Sequence, residues 1–157
     1  MLSPESLKQI DREVAKYPPE HKESAVMSAL RIAQLEKGWL APETIEFVAG
    51  YLGMPPVAAY EVASFYNMYE LKPVGKYKLT VCTNLSCTLQ GAESVVSHLE
   101  KKLGITFGET TADGKFTLKE GECMGACGDG PVALINNVKM CAKLTPEEAD
   151  RILAGLE

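Results

Sequence analysis

Histidine occurs twice and tryptophan once in these 157 residues, and aromatic residues make up only 7% of the chain. There is no basic surplus: 16 Lys and Arg stand against 21 Asp and Glu, a formal net charge of −5. The deficit is even, with 10 acidic and 7 basic groups in residues 1–72 and 11 and 9 in residues 73–157. No basic face is therefore available for phosphates, which excludes nucleic acid as a partner. Long apolar runs are missing too. No uncharged run exceeds fourteen residues, and the run "FVAGYLGMPPVAAY" has a double proline inside it; a membrane span takes roughly twenty. The opening "MLSPESLKQIDREVAKYP" is too charged for a secretory signal, so the expected location is the cytoplasm or a cytoplasmic surface. No G-x-G-x-x-G follows a strand, which removes a dinucleotide site. No C-x-x-C is present, which weakens thiol–disulfide exchange as a function. The histidines have no catalytic context. His21 reads as a surface group before a helix and His98 as a solvated or half-buried residue beside an apolar stripe, so no Cys–His nucleophile pair is marked.

What is present is cysteine in a pattern. Five cysteines are too few and too odd in number for a disulfide framework, and in a reducing compartment clustered cysteines read as metal-binding or catalytic. Four form two local pairs, Cys82 with Cys87 and Cys123 with Cys127, in the spacing C-x4-C-x35-C-x3-C. Cys141 stands apart and reads as a buried spectator, because a free cysteine packs as a small hydrophobe.

Apolar residues at 46% and charged residues at 24% are near globular averages, and the chain is long enough to bury a core without disulfides. Two textures follow one another along it. Up to about Leu71 the periodicity is helical: "PESLKQIDREVAKY", "KESAVMSALRIAQLEKG", "APETIEFVAGYLG" and "PPVAAYEVASFY" predict four short helices in a small bundle. Beyond Pro73, "KYKLTVCT" predicts a strand ending at Cys82. "NLSCTLQGAESVVSHLEKKLG" predicts one amphipathic helix with Leu89, Ala92, Val96, Leu99 and Leu103 on its apolar face. "KFTLKEGE" alternates as a strand, "PVALINNVKMCAK" reads as two strands joined at Asn136-Asn137, and "TPEEADRILAGLE" as a helix capped by Thr145 with Ile152, Leu153 and Leu156 buried. The fold class expected is α+β, an N-terminal helical domain (1–72) followed by an α/β domain (73–157) whose order is compatible with a thioredoxin-like layout. The aromatic group Phe65, Tyr66 and Tyr69 at the junction reads as core, with contact to a partner as the other possibility.

On that scaffold Cys82 ends a strand and Cys87 begins a helix, where unpaired N–H groups and the helix dipole favour thiolates. Cys123 and Cys127 lie in "GECMGACGDGP", where glycines at 121, 125, 128 and 130 let the chain bend around a bulky anion and aim amides at it. Four thiolates suit zinc, and they equally suit a 2Fe-2S cluster with two thiolates on each iron. Two ferric irons, two sulfides and four thiolates sum to −2, and one electron makes −3. An anion of that charge and width calls for the N–H donors of a glycine-rich loop, which favours iron–sulfur and leaves zinc open.

From Glu61 onward the stretches "EVASFYNMY", "PVGKYKLTVCTNLSC" and "ADGKFTLKEGECMGACGDGPV" resemble the small 2Fe-2S subunit family of the respiratory NADH:quinone oxidoreductases (complex I), the thioredoxin-like ferredoxin family. Asp113, Phe116, Thr117, Cys123, Met124, Gly125, Cys127, Gly130 and Pro131 carry it most strongly, and the helical first seventy residues look like the family's N-terminal extension. The resemblance implies an electron-transfer subunit without substrate-binding catalytic residues of its own. It implies one 2Fe-2S cluster held by Cys82, Cys87, Cys123 and Cys127. It further implies a partner flavoprotein subunit that binds NADH and FMN, and a peripheral place on the cytoplasmic side of the inner membrane. The equivalent subunits of NAD-linked hydrogenases and formate dehydrogenases share these motifs and stay open at this point. A structural zinc assembly module with four cysteine ligands does too. Thioredoxin-like folds often have a cis proline before a central strand, and Pro131 is placed for one.

Overall fold

Serine and proline set the first helix. Ser3 Oγ accepts from the Ser6 N–H at 3.2 Å and Pro4 fills the first helical position, so α1 runs Pro4–Val14. The computed structural model describes residues 1–156, which fall into two compact units, Met1–Pro73 and a second beginning at Val74.

In the first unit α2 (Val26–Lys37), α3 (Pro42–Leu52) and α4 (Pro56–Phe65) follow α1. Gly38 and Gly53, at φ +82° and +74°, stop α2 and α3. The helix expected from Lys22 begins only at Val26. Residues Pro19–Ala25 wind instead as a 3-10 stretch, broken at His21 (φ −124°, ψ 38°), which leaves the helical region and cannot pass its hydrogen bonds on to α2. Ile10, Leu30, Leu40, Ile45, Val48 and Leu52 form the core, each such aliphatic side chain worth roughly 1.5–3 kcal/mol on full burial. The chain after α4 folds back along α2. Gln34 donates to the Met68 carbonyl and accepts from the Glu70 N–H, while the Tyr69 hydroxyl donates to the Met27 carbonyl at 2.8 Å. The aromatic group is accordingly not one core cluster. Tyr69 is buried, but the backbone turns extended at Tyr66 and leaves Phe65 80% exposed.

The second unit is a four-stranded sheet of β1 (Tyr77–Cys82), β2 (Phe116–Gly121), β3 (Ala133–Ile135) and β4 (Lys139–Cys141), in the order β2-β1-β3-β4. β1 and β2 are parallel, with Tyr77 opposite Phe116 and Cys82 opposite Gly121; β1–β3 and β3–β4 are antiparallel. Asn136 and Asn137, at φ +50° and +58°, make the β3–β4 turn as the sequence predicts. The crossover from β1 to β2 is helical, α5 (Leu85–Leu89) then α6 (Ala92–Leu103). The single helix expected over 84–104 is interrupted, because Gly91 adopts φ +96°. Its apolar face begins anew as Ala92, Val95 and Leu99, while Leu89, left on α5, is exposed. Together with Ala149 and Leu153 of α7 (Pro146–Ala154), Val95 and Leu99 of this face cover Leu79, Val81, Leu118 and Ile135 on one side of the sheet. Thr145 caps α7 by accepting from the Glu148 N–H at 3.2 Å. Of the stripe expected there, Leu153 is buried while Ile152 and Leu156 are partly so. Strand, helix, strand, antiparallel hairpin and closing helix make the thioredoxin-like layout.

Candidate metal centre

Parallel pairing decides where the cysteines meet. Because β1 and β2 run the same way and end in register at Cys82 and Gly121, the loops that follow them leave the same end of the sheet. The first carries Cys82 and Cys87; the second carries Cys123 and Cys127. The Thr83 N–H donates to the Gly121 carbonyl at 3.2 Å and the Asn84 side-chain amide donates to the Glu122 carboxylate at 2.8 Å, tying the two loops where they begin.

The two pairs differ in exposure. Cys82 and Cys87 are buried with Ala92 and Val132, against Met124 and Ala126, whereas Cys123 and Cys127 are exposed. The Cys123 and Cys127 sulfurs lie 3.6 Å apart, close to the separation of about 3.8 Å for two thiolates on one tetrahedral metal at about 2.3 Å. The Cys87 thiol senses both Cys82 and Cys127, and the Cys127 thiol senses both Cys123 and Cys82, so sulfurs of the two loops share one locality, two from each loop. Two pairs suit two irons, so the residues present fit a binuclear cluster.

Each thiol has its own electrostatic setting. The Gly125 N–H, 3.5 Å from the Cys123 sulfur, holds that thiol below the usual cysteine value, assisted by the Cys127 thiol. Cys127 is pushed up, chiefly because Cys123 sits beside it, and the Ser86 side chain opposes this. Cys87 is pushed up by burial first and by the Cys82 thiol second. The backbone N–H that favours the Cys87 thiolate comes from Val132, and burial and the Cys82 thiol outweigh it. α5 has five residues, and the Cys87 N–H is spent on the Asn84 carbonyl at 2.9 Å.

The glycines of the second loop serve separate purposes. Gly125 sits at φ +73°, a region that disfavours other residues. A Cβ at Gly121 would come within 2.6 Å of Thr80 Cγ2 and 2.9 Å of Met124 Cε, and one at Gly130 within 2.7 Å of Gln90 Nε2. Around Gly128 there is open space. The Gly130–Pro131 bond is cis. Cys141 is buried in the sheet core with Leu144 and Ala149, in a different cluster from Cys82 and Cys87, and its thiol is raised by burial. His98 is half-buried, with Nε2 2.7 Å from Asp150 Oδ1, and His21 is exposed beside Glu23. Neither joins the thiols. Ser86 and Gln90 are not legible as site residues in the sequence, since the groups they touch lie in a loop distant along the chain.

A thioredoxin-like frame that presents sulfur from two strand-end loops defines a thiolate-ligated metal protein. The chain belongs to the thioredoxin-like 2Fe-2S ferredoxin family, which it matches over residues 10–157 and whose cofactor is a 2Fe-2S cluster. It is 46% identical over 145 residues to the E subunit of the NADH-quinone oxidoreductase of Rickettsia conorii, covering 92% of this chain and 86% of that protein. It is 43% identical over 147 residues to NADH-quinone oxidoreductase subunit 2 of Thermus thermophilus, covering 94% and 81%. Among solved structures, an NAD+-reducing NiFe hydrogenase in the air-oxidized state superposes with a TM-score of 0.69 at 21% identity, over 81% of this chain and 22% of that one. At that identity the likeness concerns the fold.

Proposed function

We propose that this chain is the 2Fe-2S electron-transfer subunit of a respiratory NADH:quinone oxidoreductase, with Cys82, Cys87, Cys123 and Cys127 as the ligands of one cluster. The observation that carries the reading is the meeting of two thiol pairs, one buried and one exposed, at a single end of a parallel strand pair. The relatives at 43% and 46% identity, named as subunits of that enzyme, support it. A bound 2Fe-2S cluster supplies one-electron chemistry. The chain's own residues supply its setting. Cys82, Cys87 and Val132 close one side against water, the Gly125 N–H is placed to donate to the Cys123 sulfur, and the exposed Cys123–Cys127 loop leaves an approach for a donor.

The donor in this reading is the FMN of a neighbouring NADH-binding flavoprotein subunit. The NADH and FMN sites belong to that partner. The chain is a peripheral subunit on the cytoplasmic side of the inner membrane; among its described residues no helix is long and apolar enough to cross a membrane. Residues 1–72 act as a helical domain and 73–157 as the cluster domain. Anaerobic mixing of the reconstituted chain with the flavoprotein subunit and excess NADH tests this. The visible absorbance of the chain should bleach by one electron per molecule, and only when the flavoprotein is present. A chain that stays oxidised while the flavin is fully reduced would overturn the assignment.

A further inference from the structure

Gln90 closes α5 with an exposed side chain, yet both N–H groups of its amide are engaged. Its amide nitrogen donates to the Ser86 carbonyl at 2.8 Å and to the Cys127 carbonyl at 2.9 Å. Both neighbours are acceptors, so the nitrogen rather than the oxygen must face them. Ser86 precedes Cys87 on the first loop and Cys127 lies on the second, so one carboxamide joins the two loops by reaching a residue 37 positions along the chain from Gln90. Gly130 completes the arrangement. A Cβ there would lie 2.7 Å from Gln90 Nε2, 3.1 Å from its Cδ and 3.4 Å from the Cys87 sulfur, so a side chain at 130 would expel the amide. The contacts of Thr83 with Gly121 and of Asn84 with Glu122 secure the start of the second loop. Gln90 acts at its Cys127 end.

We propose that Gln90 is a positioning residue that clamps the exposed Cys123–Cys127 loop onto the buried Cys82–Cys87 loop, with Gly130 kept bare to admit it. Calling the clamped object a cluster site rests on the four-cysteine reading; the clamp itself is a property of the chain.

Two substitutions in the full-length chain test it. Gln90→Met keeps length and volume and removes both N–H donors, while Gln90→Arg restores donors. In the metal-free chain, hydrogen exchange of the backbone amides of residues 125–129 should rise about tenfold in Gln90→Met, the scale of one or two ordinary hydrogen bonds lost. Exchange in β1 and β2 should be unchanged. In the reconstituted chain the same variant should release iron to a chelator about tenfold faster and shift the g-values of the reduced centre, and Gln90→Arg should recover both. Equal exchange and release in wild type and Gln90→Met would overturn the clamp. So would a rise spread evenly over the loop and the sheet, which is plain destabilisation. Failure of the wild-type chain to take up iron and sulfide would instead count against the four-cysteine reading, and the exchange data would still decide the clamp.

Discussion

At the scale of single residues, the two cysteine environments make opposite demands on substitution. Cys123→Ser keeps the loop's shape but replaces a sulfur that the Gly125 N–H already favours as thiolate. It should abolish the visible absorption of the reconstituted chain or make it decay rapidly. Cys141→Ser, in the sheet core and outside the cluster that holds Cys82 and Cys87, should leave that spectrum intact; optical titration with iron and sulfide distinguishes the two. Gly121→Ala tests close packing rather than chemistry. The added Cβ would stand 2.6 Å from Thr80 Cγ2 and 2.9 Å from Met124 Cε. Methionine can swing aside, but a β-branched residue on a strand has little freedom. The expected cost is about 1–3 kcal/mol in denaturant unfolding, with Met124 displaced toward the thiols.

At the scale of elements, α6 and α7 are held over the sheet by their apolar faces and are also joined through the Asp150 carboxylate. Asp150 of α7 lies 2.7 Å from His98 Nε2 and 2.9 Å from Lys102 Nζ on α6. The His98 contact, and then Lys102, hold the Asp150 carboxyl below its ordinary value of 3.8. A carboxyl depressed in the folded state contributes stability that is present above its unfolded pKa and is lost as pH falls through the folded value. Asp150→Asn should therefore flatten the acid limb of the stability profile below about pH 4, read from urea midpoints at several pH values. Wild type and variant with parallel acid limbs would contradict this. Legibility follows the range of the physics involved. Local signals such as Ser3-Pro4, Thr145-Pro146 and Asn136-Asn137 place α1, α7 and the hairpin correctly. The break at Gly91 is hidden in the sequence because Leu89 happens to continue the helical period while the backbone turns left-handed. The exposure of Phe65 is hidden too, because composition alone cannot say which way a helix end turns. The cysteine pattern is readable because spacing encodes it; the Gln90 tie is not, because its partner Cys127 is distant in sequence.

At the scale of the whole molecule, each unit has a core of its own, the first built on Ile10, Leu30 and Ile45 and the second on Leu79, Leu99 and Leu118. The thiols belong entirely to the second. Removing residues 1–70 should accordingly weaken association with the flavoprotein subunit more than it weakens cluster retention, as compared by pull-down and by absorbance after reconstitution. A truncated chain that binds its partner at full strength would contradict this division of labour. The most direct test of the central claim is elemental. Anaerobically purified full-length protein, reconstituted if needed, is assayed for iron, acid-labile sulfide and zinc, with electron paramagnetic resonance after dithionite reduction. The account predicts two irons and two sulfides per chain, negligible zinc, and a signal from a single reduced binuclear centre. One zinc per chain with no sulfide would contradict it.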